Sequence, residues 1–197
     1  MSLSIHWEWR GFGTVSPQFK RRFADALPQR LVDEYLWIPG VDVNLKFRQG
    51  TGYQDGLKFK RMAETQGEFE RWHESIAEIF PFPLSAHAWH LLLSEMDARH
   101  EPPVDTYRDE TVNFLRSINP RIQTVVVHKE RRSVGWGPNS EVKVELAEIQ
   151  FPTQITSVGL EAGSIELLET ARYELGLQRE PLETMNYLHY MRRCVEE

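Results

Sequence analysis

The sequence predicts an α+β fold: a run of antiparallel strands, each with one apolar and one charged face, covered by helices at the start, middle and end of the chain. The first observation behind this is alternation. Successive side chains of a strand point to opposite sides, and in Val43-Asn44-Leu45-Lys46-Phe47-Arg48 the apolar residues take one side while Asn44, Lys46 and Arg48 share the other. The second is that the device recurs. Ile5-His6-Trp7-Glu8-Trp9-Arg10 sets His6, Glu8 and Arg10 against Ile5, Trp7 and Trp9, and Leu57-Lys58-Phe59-Lys60 places two lysines on one face. The third is punctuation, since the strand-like segments are short, rich in β-branched and aromatic residues, and bounded by Gly, Pro or Asp.

In chain order, the opening strand is broken by Gly11-Phe12-Gly13. Ser16-Pro17 then supplies an N-cap with proline at the first helical position, predicting a short helix through about Leu27, ended by Pro28. Strands over residues 31–37, 41–49 and 56–62 follow as a meander. From Gly67 to His100 the signal mixes, and Phe69 and Trp72 fit either a short strand or the start of a helix. Beyond Pro81 and Pro83, the spacing of Ala88, Leu91, Leu92 and Met96 predicts a helix over 85–98. His87 and His90 lie one turn apart on it, but a histidine pair with no acidic or cysteine partner nearby reads as surface or packing rather than a metal site.

Pro102-Pro103 ends that segment, and residues 105–118 predict another helix, closed by Asn119-Pro120. Strands resume over 121–134, where Val125, Val127, Lys129 and Arg131 share a face, and over 141–146, where Glu141, Lys143 and Glu145 oppose Val142, Val144 and Leu146. Residues 135–139 form the turn between them. The last expected strand is 154–162. Ser164 caps a helix over 165–175 that Gly176 ends, and Pro181 introduces a final helix over 182–195.

With 23 Lys and Arg against 29 Asp and Glu, the chain carries a formal charge of −6, which argues against non-specific binding to a nucleic-acid duplex, an association driven by surplus cations. A cavity in which the basic residues converge still holds a polyanion. Charged residues make up 26% and hydrophobic ones 41%, the proportions of a globular chain. Its 197 residues suffice for one domain, expected to span 1–197. No apolar run reaches the ~18 residues of a membrane span and no signal-peptide pattern precedes Arg10, so the expected location is cytoplasmic, away from the membrane. Cys194, alone, cannot close an intramolecular disulfide.

Two architectures satisfy the alternation. One is a sheet with a single wet face. The other is a closed or nearly closed antiparallel barrel whose charged faces point into a water-filled lumen, while Trp7, Trp9, Phe47 and Phe59 point outward under helices. In the barrel the inner face carries Arg10, Lys46, Arg48, Lys58, Lys60, Lys129, Arg131 and Lys143 with Glu8, Glu141, Glu145 and Glu161. That mixture suits a polyphosphate bound with a divalent cation, because guanidinium and ammonium groups hold phosphate oxygens and carboxylates hold the metal. Folding alone gains nothing from it, since each buried charge must be desolvated.

In order and spacing these segments resemble the CYTH family, the triphosphate tunnel metalloenzymes, which includes thiamine triphosphatases, inorganic triphosphatases, class IV adenylate cyclases and RNA triphosphatases. The family's opening Glu-x-Glu-x-Lys strand corresponds to His6-Trp7-Glu8-Trp9-Arg10, its Asp-x-Tyr strand to Asp33-Glu34-Tyr35, and its next basic strands to Lys46-Phe47-Arg48 and Lys58-Phe59-Lys60. Lys129 and Arg131 match the later basic strand, Glu145 the acidic strand, and Gly159-Leu160-Glu161 the late Glu-x-Glu strand. The resemblance implies an antiparallel eight-stranded β-barrel, a triphosphate tunnel, with helices covering the outside. It also implies roles: Glu8, Glu161, His6 and Glu145 as ligands of a divalent metal, Mg²⁺ or Mn²⁺; Glu8 and Arg10 as catalytic residues; Lys46, Arg48, Lys58, Lys60, Lys129 and Arg131 as substrate-binding cations. Three positions depart from the pattern: His6 for glutamate, Arg10 for lysine and Gly159 for glutamate. Histidine replaces a carboxylate well toward Mn²⁺ or Zn²⁺ and poorly toward Mg²⁺, and arginine keeps the charge but cannot lose a proton to act as a base.

The expected activity is therefore that of a metal-dependent phosphohydrolase acting on a small triphosphate compound: inorganic triphosphate, thiamine triphosphate or a nucleoside triphosphate. The alternative is a catalytically degenerate tunnel that binds a phosphorylated ligand without hydrolysis. A third reading is an interaction protein whose sheet face, cations splayed outward, docks a partner. The expected partner is a small phosphorylated ligand, with formation of a homodimer left open.

Overall fold

The computed structural model describes residues 3–50, 53–75 and 79–196. Eight strands form the frame: β1 Leu3–Gly13, β2 Gln29–Trp37, β3 Val43–Gly50, β4 Tyr53–Gln66, β5 Phe69–Ser75, β7 Gln123–Trp136, β8 Val142–Phe151 and β9 Ile155–Ala162. They pair antiparallel in the order β1-β5-β4-β3-β2-β7-β8-β9, and β9 returns to β1 to close the barrel. Two short strands, β6 Phe80–Pro81 and β10 Leu182–Thr184, attach to β4 and β1.

Closure answers the question that alternation left open. A barrel has an inside and an outside, and here the apolar faces are outside. Leu45, Phe47, Leu57 and Phe59 are buried beneath α2 (Ala86–Glu95) and α3 (Arg108–Ile118), which contribute Trp89, Leu92 and Leu115. Trp9, Val144, Val158 and Leu160 are buried beneath α1 (Pro17–Arg21) and α4 (Ile165–Glu174), which contribute Phe19, Leu168 and Ala171. Each helix hides a stripe of its own while covering a strand face, the usual economy of an amphipathic helix.

The fifth helix does something different. Along α5 (Tyr187–Glu196) the residues Tyr187, Leu188, Tyr190, Met191, Cys194 and Val195 recur at helical spacing, and this stripe packs against Phe12, Tyr35, Trp72, Val127 and Ile149. Those five share strand faces with the charged lumen residues, so α5 stoppers one end of the barrel. Phe12 stacks on Tyr190 with ring centroids 4.8 Å apart, and Tyr35 on Tyr187 at 5.2 Å.

Several boundaries differ from expectation. The first helix ends at Arg21 rather than near Leu27: Arg22, Phe23 and Ala24 each donate to the carbonyl three residues back, tightening the chain into turns that bury Phe23. The final helix begins at Tyr187 rather than Leu182. Leu182–Thr184 is instead drawn into a strand by Gly11–Gly13, the part of β1 that β5 leaves unpaired, and Asn186 caps the helix by accepting from the His189 amide at 2.9 Å. The ambiguous Phe69–Trp72 stretch is strand β5, with Trp72 in the stopper. Gly135 and Trp136 extend β7, and the turn falls at residues 137–140, where Gly137 adopts φ 91°.

Met191 is fully buried in the stopper. Met191→Ala should therefore cost about 2–5 kcal/mol in urea unfolding, whereas Tyr173→Ala, on a side chain that is 75% exposed, should cost no more than about 0.5 kcal/mol.

Candidate functional site

Beyond the stopper the lumen is charged. Lys46 and Arg48 from β3, Lys58 and Lys60 from β4, and Lys129 and Arg131 from β7 line one cavity of about 80 Å³, joined by Arg10 from β1 and Lys143 from β8. Glu8, Glu74, Glu145 and Glu161 share the lining, and Asp33 lies directly behind it, bonded to Lys46, Arg48 and Lys129. Eight cations thus face five carboxylates. The excess of positive charge converges inward, which removes the arrangement in which the cations splay over an outer face. Glu141 does not join them: β8 begins only at Val142, and the Glu141 carboxylate turns back to accept from the Asn139 amide and side chain at 3.2 Å each.

Larger hollows exist, one of about 650 Å³ between α1 and the end of α4 and one of about 340 Å³ beside α5. Their linings mix apolar residues with both signs of charge. The charged cavity is smaller because its own side chains reach across it in ion pairs, occupying the volume a ligand would take.

At the inner end, Asp33 is completely buried. Its carboxylate accepts two hydrogen bonds from the Arg48 guanidinium, at 2.8 and 2.9 Å, and meets Lys129 Nζ at 2.9 Å and Lys46 Nζ at 3.4 Å. Both lysines also donate to the Tyr35 hydroxyl, and Lys129 to that of Tyr187, so the floor is made by the first residue of α5. Burial alone would raise the Asp33 pKa, but Lys129, Lys46 and Arg48 outweigh it and hold the carboxyl well below the usual range. Lys46 goes the other way. Burial, reinforced by Arg48, pushes its ammonium well below the ordinary lysine value despite Asp33.

In the middle, Arg10 is held from several sides. Nε donates to Glu8 at 2.9 Å, Nη1 donates to Glu145 at 3.1 Å and to the Ser157 hydroxyl at 2.9 Å, and the guanidinium carbon sits 4.9 Å from the centre of the Tyr187 ring. Its seat is Gly159, the register partner of Arg10 on β9. A Cβ at 159 would come within 2.5 Å of Nη2, so arginine at position 10 and glycine at 159 are one steric solution. Burial pushes the Glu8 and Glu145 carboxyls up. Lys60 and Arg10 overcome this at Glu8, and Arg10 and Arg131 at Glu145, so both stay ionised well below the usual range.

Toward the mouth, side-chain exposure rises from 4% at Glu8 to 14% at His6, 24% at Glu161 and 47% at Lys143. One potential ligand atom from each of His6, Glu8 and Glu161 lies within 4.8 Å of the others. His6 Nε2 is buried without a hydrogen-bond partner, its nearest carboxylate oxygen on Glu8 being 3.9 Å away. One imidazole nitrogen and two carboxylates fit a divalent cation, and this donor set suits Mn²⁺ or Zn²⁺ better than Mg²⁺. Glu145 lies outside this group; its two oxygens are bonded by Arg10 and Arg131, as those of Glu8 are by Arg10 and Lys60. Lys60 pairs with Glu8, Lys58 with Glu74, and Lys143 with Glu161 at 2.8 Å. His87 and His90 are exposed on α2 and belong to no such cluster among the described residues.

Alternation located the cations but not all of their partners. Asp33 shares its face with Leu31 and Tyr35, which hid it among apolar neighbours, although it stands first in the Asp-x-Tyr segment. Glu74 lies in the ambiguous segment. Tyr187 carries no strand signal, and only the position of α5 brings it into the site.

No protein-family model matches the chain, and no curated protein matches its sequence. Solved structures do match in fold. The PH1819 protein from Pyrococcus horikoshii OT3 superposes with a TM-score of 0.54 at 11% identity, over 94% of this chain and 98% of that one. A conserved hypothetical protein from Pyrococcus furiosus gives 0.53 at 13% identity, over 92% and 98%. HpAC1 from Hippeastrum, for which a dominant triphosphatase activity is given, yields 0.51 at 16% identity, over 90% of each chain. These likenesses are of fold.

Two outcomes follow from the geometry. Asp33, Glu8 and Glu145 have folded-state pKa values below their unfolded ones, so the stability they contribute is fully present above about pH 4–5 and lost as the pH falls through that value toward the folded-state ones. Unfolding midpoints measured from pH 7 to pH 3 should drop steeply below about pH 5. Gly159→Ala, by displacing a buried guanidinium, should cost about 1–3 kcal/mol by the same measurement.

Proposed function

We propose that this chain is a metal-dependent triphosphatase of the triphosphate tunnel family, hydrolysing the terminal anhydride bond of a small triphosphate compound in a cytoplasmic setting. The observation that carries the reading is the cavity, where an excess of buried cations fills a stoppered lumen with His6, Glu8 and Glu161 grouped toward its mouth. The triphosphatase activity given for HpAC1, on a chain of the same fold, supports it.

A triphosphate enters from the mouth, because α5 closes the other end. His6, Glu8 and Glu161 would hold a divalent cation, which would supply charge withdrawal from the phosphate oxygens. The chain's own residues do the rest. Lys58, Lys60, Arg131 and Lys143 neutralise the phosphates nearer the mouth, and Lys46 and Lys129 those nearer the floor. Lys60 and Lys143 pair with Glu8 and Glu161; a metal held by those carboxylates would free both ammonium groups for phosphate oxygens, so that metal and polyphosphate would each favour the other's binding. Arg10 stays charged throughout and serves as a fixed clamp for negative charge rather than as a proton acceptor.

Binding without turnover is the second reading. What favours it is that Glu8 and Glu145 are both ion-paired and held ionised at depressed pKa, leaving neither matched to a base acting near neutral pH.

Phosphate release from tripolyphosphate, thiamine triphosphate and ATP, assayed with Mg²⁺ and with Mn²⁺, tests both. The proposal expects turnover that is faster with Mn²⁺ and abolished in Glu8→Gln; wild-type release no higher than that of Glu8→Gln overturns the enzyme. Calorimetry should show tripolyphosphate affinity rising about tenfold or more on adding Mn²⁺. Tight binding with no release selects the second reading.

A further inference from the structure

Lys46 is the least well served cation of the floor. Asp33 brings one negative charge to three buried cations, and its two oxygens are unequally shared. Arg48 takes both, at 2.8 and 2.9 Å, and Lys129 approaches Oδ2 at 2.9 Å. Those contacts occupy the lone pairs of Oδ2 and leave Lys46 at 3.4 Å from it. Lys129 also donates to two hydroxyls, those of Tyr35 and Tyr187, whereas Lys46 donates to that of Tyr35 at 3.2 Å. Among the other charged groups around Lys46, Arg48 stands two residues along β3 and Lys58 is its register partner on β4. Lys58 is itself paired with Glu74, and Arg10, across the cavity on β1, with Glu8 and Glu145. Burial and then Arg48, with Lys129 and Lys58 behind them, press the ammonium toward losing its proton, and Asp33 opposes them without prevailing. Arg48 could not yield in its place, because a guanidinium keeps its charge. A neutral amine still has hydrogens to donate, so the bond to Tyr35 survives the change.

We infer that Lys46 is a neutral amine while the cavity is empty and becomes an ammonium when a phosphate chain enters, so that binding takes up a proton. The inference rests on the cavity receiving a phosphate chain, as above. Phosphate oxygens bring several negative charges to a floor that otherwise holds one, and an opposite charge nearby favours the protonated amine. The proton passes from solvent to Nζ, and no other bond changes. The empty floor is thus spared one like charge among its buried cations, and the loaded floor gains it where the ligand needs it. Because the complex holds one proton more than the free protein, affinity falls as the pH rises through the range in which the free amine is neutral and the bound one is charged.

The test titrates the full chain, with Mn²⁺ and from pH 7 to pH 9, against cyclic trimetaphosphate, whose phosphates lack the weakly acidic second hydroxyl and so bring no proton to exchange. Calorimetry in two phosphate-free buffers of different ionisation enthalpy counts the protons taken up. Wild type should take up close to one proton per site more than Lys46→Arg, which is charged in both states, and more than Lys46→Met, which is charged in neither. Its affinity should fall with pH more steeply than theirs, by up to about tenfold per unit. Linear tripolyphosphate, the second probe, should show the same difference between wild type and variants. Wild type that binds trimetaphosphate with no proton uptake anywhere in that range, or an uptake undiminished in a folded variant, overturns the role of Lys46 and leaves the triphosphatase reading standing. A wild type that binds neither probe overturns both.

Discussion

The structure depends on Asp33. Packing cations into a barrel is opposed by desolvation and by mutual repulsion, and both grow as the charges converge. One completely buried carboxylate, held in a bidentate grip by Arg48 and touched by Lys46 and Lys129, answers three of those cations at once. Hydrophobic surface holds the barrel together on its outside, under the helices, and at one end of the lumen, where the inward apolar residues gather with α5 in the stopper. Beyond the stopper the cohesion of the lumen is electrostatic, and cations find countercharges on other strands of the barrel.

The same logic extends outward in layers. Arg10 is shared by Glu8 and Glu145, and Glu161 holds Lys143 where the cavity begins to open. From floor to mouth the pairs become more exposed and hence weaker, since water screens what burial does not. The rigid pairs lie where a ligand would end and the loose ones where it would enter. A site built this way is preorganised at the bottom and adaptable at the top, an arrangement that suits gripping one end of a flexible anion.

Much of this could be read from residue order, because a strand's period of two survives wherever one face is uniformly apolar. Lys46, Arg48, Lys58 and Lys60 were legible for that reason. Legibility failed where a strand crosses from charged lumen to apolar stopper. On β2 the inner face runs Leu31, Asp33, Tyr35, so the carboxylate on which the floor depends sits in what looks like a core strand. It failed also where parity was carried past a strand's end, as at Glu141. Leu182–Thr184 read as helix because the vacant edge of β1 is a tertiary fact. Tyr187 enters the site through helix docking, for which no local pattern exists.

Arg10 and Gly159 bear on how such a chain diverges. Because the guanidinium occupies the space of a side chain at 159, position 159 can gain a side chain without a clash only once position 10 has given up its arginine. Column-by-column comparison of sequences treats the two positions as independent, which in this molecule they are not. The backbone outlasts such local solutions: the barrel superposes over nine-tenths of two chains that share 16% of their residues.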